Sequence, residues 1–280
     1  MTAITPFGAR LHEALRTRGP LCVGIDPHAS LLKDWGLDDD VAGLERFSRT
    51  TVEALADRVA VLKPQSAFFE RFGSRGVAVL EKTVEEARAA GALVLMDAKR
   101  GDIGSTMGAY AAAYLHPSSP LFSDAVTLSP YLGFGSLRPA LDAAAASGAG
   151  VFVLALTSNA EGAEVQRATA ADGRPLAQVM LDHMAAENVD AWPLGSVGAV
   201  VGATLADAGV NLAINGPLLA PGIGAQGATP ADVPRVFGSV AGNVVPSVSR
   251  GVLRYGPDAA ALREAAARFA EECRAAVSGA

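Results

Sequence analysis

Cysteine is scarce in this chain, with 2 in 280 residues, which excludes a small scaffold stapled by disulfides. Cys22 lies in an apolar run and Cys273 near the end, so both read as buried small hydrophobes in a reducing compartment. The start of the chain lacks the apolar centre of a signal peptide. Its opening stretch carries Arg10, Glu13, Arg16 and Arg18 and reads as an amphipathic helix. An uncharged stretch from Ala143 to Ala160 is mostly Ala, Gly and Ser before a short Val/Phe/Leu run, which fits a helix end feeding a buried strand and not a membrane span. Histidine is sparse too. His12, His28, His116 and His183 are scattered without an H-x-x-x-H pair, so no metal site is expected. Trp35 and Trp192 read as loop or core aromatics. Positive charge is short, with 23 Lys and Arg against 29 Asp and Glu for a net charge of −6, which argues against a nucleic-acid duplex as partner. An anionic small ligand is not excluded, since it needs only local cations.

What the chain has is apolar bulk. Half of its residues are hydrophobic, which excludes disorder, and its 30 glycines follow no triplet period. Short apolar runs recur at Leu21–Asp26, Val59–Lys63, Ala92–Asp97, Asp124–Leu128, Val151–Leu156, Val197–Val201, Pro217–Ala220 and Asn243–Val248. They are β-branched and do not alternate, as strands of a parallel sheet buried on both faces must be. Helical stretches fill most gaps, among them Val41–Arg58, Gly76–Ala90, Thr106–Tyr114, Leu176–Glu187 and Pro257–Val277. Pro257 and Asp258 suit a helix start, where a missing N–H costs nothing and the macrodipole favours an acid. The α/β order without a linker, repeat or composition break predicts a single (β/α)8 TIM barrel over residues 1–280 with an extra N-terminal helix. An open doubly wound sheet is the competing arrangement.

A barrel puts chemistry where strands end and loops begin. Asp26, Lys63, Asp97 and Lys99 stand at such ends, and charges there are costly unless paired or used. The period of two along a strand predicts Leu95, Asp97 and Lys99 on one face, a carboxylate beside an ammonium, with Asp102 following a turn at Gly101. A lone D-x-K would be an ordinary strand-end ion pair. The third charge, the preceding Lys63 and the glycine turn argue for a site.

The string D-A-K-R-G-D-I-G-S-T at 97–106 resembles the D-x-K-x-x-D-I-x-x-T signature of the orotidine 5'-phosphate decarboxylase family. V-G-I-D-P (23–27), L-K-P-Q (62–65), L-T-S-N (156–159), A-P-G-I-G-A-Q-G (220–227) and S-V-S-R-G (247–251) are similar to that family's other strand-end motifs in the same order. The N-terminal extension and the segment from Asn159 to Ser196 resemble the longer bacterial branch. The resemblance implies a cytoplasmic lyase that converts orotidine 5'-monophosphate to UMP and CO2 without cofactor or metal. It implies that Lys63, Asp97, Lys99 and Asp102 form an alternating charge network, with Asp102 crossing a homodimer interface into the partner's site. It also implies that Asp26 binds a ribose hydroxyl, that Ile103 and Thr106 accompany Asp102, that Ser158 contacts the pyrimidine, that Pro221 and Gln226 lie in a closing loop, and that Arg250 binds phosphate. No nucleic acid or membrane partner is implied.

The chemistry of that reaction suits these residues. Decarboxylation at a vinylic ring carbon leaves a localised carbanion with no π system to spread the charge, so the site must supply positive charge and a proton together. A fixed lysine such as Lys99 does both. Asp97 beside the substrate carboxylate would add a repulsion that departing CO2 relieves, while Lys63 and Asp102 would aim Lys99. Phosphate is expected at the loops after the seventh and eighth strands, where Gly222, Gly224 and Gly227 allow close approach of main-chain N–H groups and Arg250 offers a planar fork. G-I-G-A-Q-G also matches G-x-G-x-x-G, but it follows the seventh strand and no acid lies between Val233 and Pro257, which excludes a dinucleotide site. Ser158 lacks a G-x-S-x-G elbow, so hydrolysis is not expected. Two rivals stand: a metal-dependent sugar-phosphate aldolase or decarboxylase, which Lys63 disfavours, and a catalytically dead nucleotide-binding barrel, which should lack Asp97, Lys99 or Asp102.

Overall fold

Each apolar run becomes a strand in the computed structural model, which describes residues 4–224 and 227–278. The strands are β1 (Cys22–Ile25), β2 (Val61–Pro64), β3 (Leu93–Arg100), β4 (Ala125–Leu128), β5 (Gly150–Leu156), β6 (Val197–Val201), β7 (Leu218–Pro221) and β8 (Val244–Val248). They pair in chain order, all parallel, and β8 returns to β1 through Cys22–Ser247 and Val23–Val248 to close the barrel. The open doubly wound alternative is thereby excluded. Helices fall where expected: Val41–Leu55, Gly73–Ala89, Gly104–Leu115, Leu176–Glu187 and Ala259–Ser278. Asp258 begins the last of these, its carboxylate accepting from Ala261 N–H at 2.9 Å.

Strand alternation divides the core in two. Val23, Ile25, Leu62, Val94, Met96, Val126, Val153 and Val201 point outward and pack under the helices in the larger cluster. Cys22, Val61, Leu95, Ala125, Phe152, Val200, Leu219 and Val245, one residue per strand, point inward and fill the barrel. A period of two has a consequence one layer up. Two residues further along these strands stand Gly24, Lys63, Asp97, Thr127, Leu154, Gly202, Pro221 and Ser247. The layer above the plug is therefore polar on one side, and it forms the floor of the site.

The N-terminal helix, Phe7–Arg18, closes the opposite end. Phe7 and Leu11 are fully buried with the inward residues, and the Phe7 ring meets Phe152 edge to face at 6.0 Å. Gly150 must be glycine for this to happen, because a Cβ there would lie 2.2 Å from the Phe7 ring. Arg10 on the same helix donates to Asp124 Oδ1 at 2.5 Å and to Gly148 O at 2.9 Å. Both cysteines are buried and unbridged, and burial pushes the Cys273 thiol up to about 12. Trp35 is buried with its indole N–H on Leu253 O, whereas Trp192 is exposed. No described helix is long and apolar enough to cross a membrane.

Candidate active site

A cavity of about 420 Å³ opens at the C-terminal ends of the strands. Its floor is built around Asp97, which is buried and meets four donors. Lys63 Nζ on β2 donates to Oδ2 at 3.0 Å, and Lys99 Nζ donates to Oδ1 at 2.6 Å. Thr127 Oγ1 on β4 donates to Oδ1 at 2.8 Å. The Gln65 amide, with its nitrogen turned to Asp97, donates to Oδ2 at 2.8 Å and to the Asp97 carbonyl at 2.9 Å. This nearly exhausts what a carboxylate accepts. Burial alone would raise the Asp97 carboxyl, but the opposing pull of Lys63 and then Lys99 leaves it well below the ordinary carboxylate range. Burial likewise works against the Lys63 ammonium, yet Asp97 and then Asp26 hold it above its ordinary value.

Lys99 reaches Asp97 by a route the period of two does not describe. The pairing of β3 with β4 shifts register between Met96 and Arg100, and Lys99 adopts φ +46°, in the left-handed region that side chains disfavour. Such a conformation costs on the order of 1–3 kcal/mol and persists where surroundings impose it. In this conformation the Lys99 N–H donates to Thr127 Oγ1 at 3.0 Å. The bulge lifts Lys99 out of the packed strand, leaving its side chain 43% exposed while that of Lys63 is 8% exposed. Asp97 is thus the hub, and Lys63 acts on Lys99 through it.

Asp26, Lys63, Asp97, Lys99, Ser158, Pro221 and Arg250 all line this one cavity. Arg250, at the start of the turn Arg250–Leu253 after β8, makes no ion pair with any described residue. Gly222 and Gly224, both at positive φ, carry the loop after β7 around the rim. Gln226 lies outside the described residues. Asp102, Ile103 and Thr106 do not line the cavity of their own chain. Asp102 Oδ1 accepts the Ile103 N–H at 2.8 Å, and Ile103 is 63% exposed.

Several lining residues escape sequence reasoning: His28, Gln65, Phe68, Thr127, Ser247 and Ser249. Thr127 and Ser247 are recoverable by counting two residues past an inward apolar position. Gln65 extends the pairing of β2 and β3 beyond the strand, opposite Asp97; its signal is its place in L-K-P-Q beside Lys63, which gives it no role by itself. His28 stands beside Phe68, ring centroids 4.3 Å apart, and no spacing marks it.

Fold and cavity define a class: a (β/α)8 barrel whose mouth offers a buried aspartate between a buried and a half-exposed lysine, beside an arginine with no acidic partner among the described residues, as suits an anionic phosphorylated ligand. The sequence matches the orotidine 5'-phosphate decarboxylase / HUMPS family over residues 19–265, and the chain belongs to that family. An orotidine 5'-phosphate decarboxylase of Streptomyces coelicolor is 75% identical over 274 residues, covering 98% of this chain and 99% of that one. One from Salinispora arenicola is 68% identical with the same coverage. A crystal structure described as an orotidine 5'-phosphate decarboxylase of Streptomyces avermitilis superposes with a TM-score of 0.97 at 74% identity, covering 99% of this chain and 98% of that one.

Proposed function

We propose that this barrel is a carboxy-lyase that converts orotidine 5'-monophosphate to UMP and CO2, with Lys99 as proton donor. The observation that carries the reading is the Asp97 carboxylate fixed by Lys63, Lys99 and Thr127 at the floor of a cavity whose rim holds Arg250. With the phosphate at Arg250 and the pyrimidine near Ser158, the reacting carbon lies toward Lys99. The bond from ring carbon to carboxylate breaks, its electron pair stays on the ring, and CO2 departs. The Lys99 ammonium stabilises that charge and transfers a proton to the carbon; water then reprotonates the amine. Asp97 places negative charge near the leaving carboxylate and keeps the ammonium in place, so no reorganisation is needed at the moment of reaction. Lys99 is held in a costly backbone conformation, which fits a residue whose position matters more than its comfort.

A metal-dependent sugar-phosphate reaction is the second reading to separate. Both Asp97 oxygens already receive two donors each, two of those donors ammonium groups, which leaves a divalent cation poorly served. Loss of orotidine 5'-monophosphate absorbance on adding the purified chain tests the proposal, with and without EDTA. The expected result is turnover that EDTA leaves unchanged; no turnover, or turnover abolished by EDTA, overturns it.

The proposal includes a homodimer that shares its sites. Asp102, Ile103 and Thr106 sit away from their own chain's cavity, and the neighbouring loop after β4 exposes Tyr131 and Leu132, apolar surface of the kind that a partner covers. In an equimolar refolded mixture of Asp97→Ala and Asp102→Ala chains, each nearly inactive alone, about a quarter of all sites regain both carboxylates if Asp102 crosses the interface. No recovery, with subunit exchange verified by native mass spectrometry, places Asp102 in its own chain's site. Buried unbridged thiols at Cys22 and Cys273 support a cytoplasmic setting.

A further inference from the structure

Two buried oxygens in the cavity wall have no hydrogen-bond partner among the described protein groups: Asp26 Oδ1 and Ser249 Oγ. They stand at the ends of β1 and β8, the two strands that close the barrel. Between them lies Gly24. A Cβ built on Gly24 would lie 3.0 Å from Asp26 Oδ2, 3.2 Å from Asp26 Oδ1 and 3.0 Å from Ser249 Cβ. Both side chains therefore crowd one point above a residue that has no side chain, and both face the cavity that holds Lys63 and Arg250.

Leaving a buried polar atom unpaired is costly, and two such atoms on side chains that converge above Gly24 call for a ligand group that serves both. A carboxylate only accepts, whereas a serine hydroxyl accepts or donates. An anionic phosphate oxygen would serve Ser249 but would be repelled by Asp26, and Arg250 offers it a better place. A neutral hydroxyl fits both: it donates its hydrogen to Asp26 Oδ1 and accepts one from Ser249 Oγ. The Ser249 carbonyl already takes the Val252 and Leu253 N–H groups at 2.9 Å each, which fixes the residue's backbone and leaves the side chain for the ligand.

We propose that Ser249 is a specificity-determining residue that joins Asp26 in clamping one sugar hydroxyl of the substrate. This rests on the decarboxylase reading above. The residue does not touch the reacting carbon, so its effect appears in recognition of the sugar.

The experiment crosses a change in the protein with a change in the ligand. kcat/KM is measured for wild type, Ser249→Ala and Ser249→Thr with orotidine 5'-monophosphate and with its 2'-deoxy and 3'-deoxy analogues. Ser249→Ala is expected to lower kcat/KM for the full substrate by about 5–30-fold, the usual range for one unmade hydrogen bond in a buried site. That loss should vanish for one of the two deoxy analogues, and Ser249→Thr, which keeps a hydroxyl, should restore most activity. UMP binding by calorimetry gives the same comparison should a variant be too slow to assay. An equal loss on all three substrates, or no loss on the full one, overturns the clamp. A loss that persists with both deoxy analogues but disappears with unphosphorylated orotidine moves Ser249 to the phosphate and also overturns it. Failure of wild type to turn over orotidine 5'-monophosphate overturns instead the reading on which the clamp rests.

Discussion

Two buried aspartates, each gripped by two cations, stand at opposite ends of this barrel and do different work. At the N-terminal end Asp124 receives Arg10 at 2.5 Å, Arg88 at 3.3 Å and the Val94 N–H at 3.0 Å, and its floor is sealed by Phe7 and Leu11. At the C-terminal end Asp97 receives Lys63, Lys99, Thr127 and Gln65 and faces a cavity. The motif of an acid between two bases is shared. What differs is the cation and the support. Arg10, permanently charged and forked, ties Asp124 to the Gly148 carbonyl while the Val94 N–H donates to the same carboxylate, which suits a structural clasp. Lysine gives a compact charge that can part with a proton, and one of the two at Asp97 sits on a strained, half-exposed bulge. A buried ion pair is thus no sign of a site until its opening, its cation and its backbone are read together.

The contrast breaks most sharply at Lys99. Lys99→Ala should reduce turnover of orotidine 5'-monophosphate by about 10⁴-fold or more, because charge stabilisation and the proton source disappear together. Thermal stability should fall by only about 1–3 kcal/mol, since buried Asp97 loses one of its four donors while the other three remain. Residual turnover within about a hundredfold of wild type in a folded sample would remove Lys99 as proton donor.

Asp124→Ala tests the other end. Breaking a buried ion pair costs about 3–5 kcal/mol, and partial exposure of Arg10 and Arg88 favours the lower end of that range. A melting temperature lower by roughly 6–12 °C is expected, with kcat close to wild type. A variant that melts normally would remove Asp124 as a structural clasp, and one that melts normally and loses kcat would make the two ends functionally alike.

Arg250→Ala should lower kcat/KM by about 30–150-fold through the phosphate, as loss of a charged hydrogen-bonding partner does. Part of that can appear in kcat, because binding energy remote from the reacting atoms also serves the chemical step. An unchanged kcat/KM removes Arg250 from the phosphate.

Acid distinguishes the mouth more gently. The Asp97 carboxyl is held below its ordinary range, so its contribution to stability is complete above about pH 4 and fades as pH falls further. Lys63 is held above its ordinary value, so its contribution is complete below about pH 10 and fades as pH rises beyond that. The melting-temperature gap between wild type and Asp97→Asn should therefore narrow below about pH 4; a constant gap from pH 3 to 6 would deny the coupling.

Much of this was legible in the sequence, and the reasons are local. Eight apolar runs mark the strands because parallel strands bury both faces, and charges at their ends mark the mouth because burying them is costly. The amphipathic start announces a helix, but nothing in its pattern says that Phe7 plugs the barrel, since the glycine that admits it, Gly150, lies far along the chain. The period of two predicts Lys99 beside Asp97, and the structure brings the two together by another route, a bulge in place of alternation. Thr127 and Gln65 carry little signal, because a threonine in a strand or a glutamine just past one is unremarkable until the register shows what stands opposite. For Asp102, Ile103 and Thr106 one chain is simply not the whole site on the reading proposed here.

Thr127 permits the finest comparison. At the closed end the contact that completes Asp124 is a main-chain amide, Val94 N–H, which no side-chain substitution short of proline removes. At the open end the corresponding duty falls to a side chain. Thr127 Oγ1 donates to Asp97 Oδ1 and accepts from the Lys99 N–H, so one hydroxyl ties the acid to the backbone of the base. Thr127→Val keeps the shape and deletes both bonds. One of four donors to Asp97 is lost, and the Lys99 amide loses the acceptor that holds its strained conformation. The expected cost is about 1–2 kcal/mol in stability, with kcat lowered by about tenfold as Lys99 drifts from its aim. Thr127→Ser, which keeps the hydroxyl, should recover kcat even if its smaller side chain leaves the melting temperature low. That split separates positioning from packing. Were Val and Ser to lower stability and kcat in the same proportion, Thr127 would be a packing residue only, and the bulge at Lys99 would be held by the barrel and not by this hydroxyl.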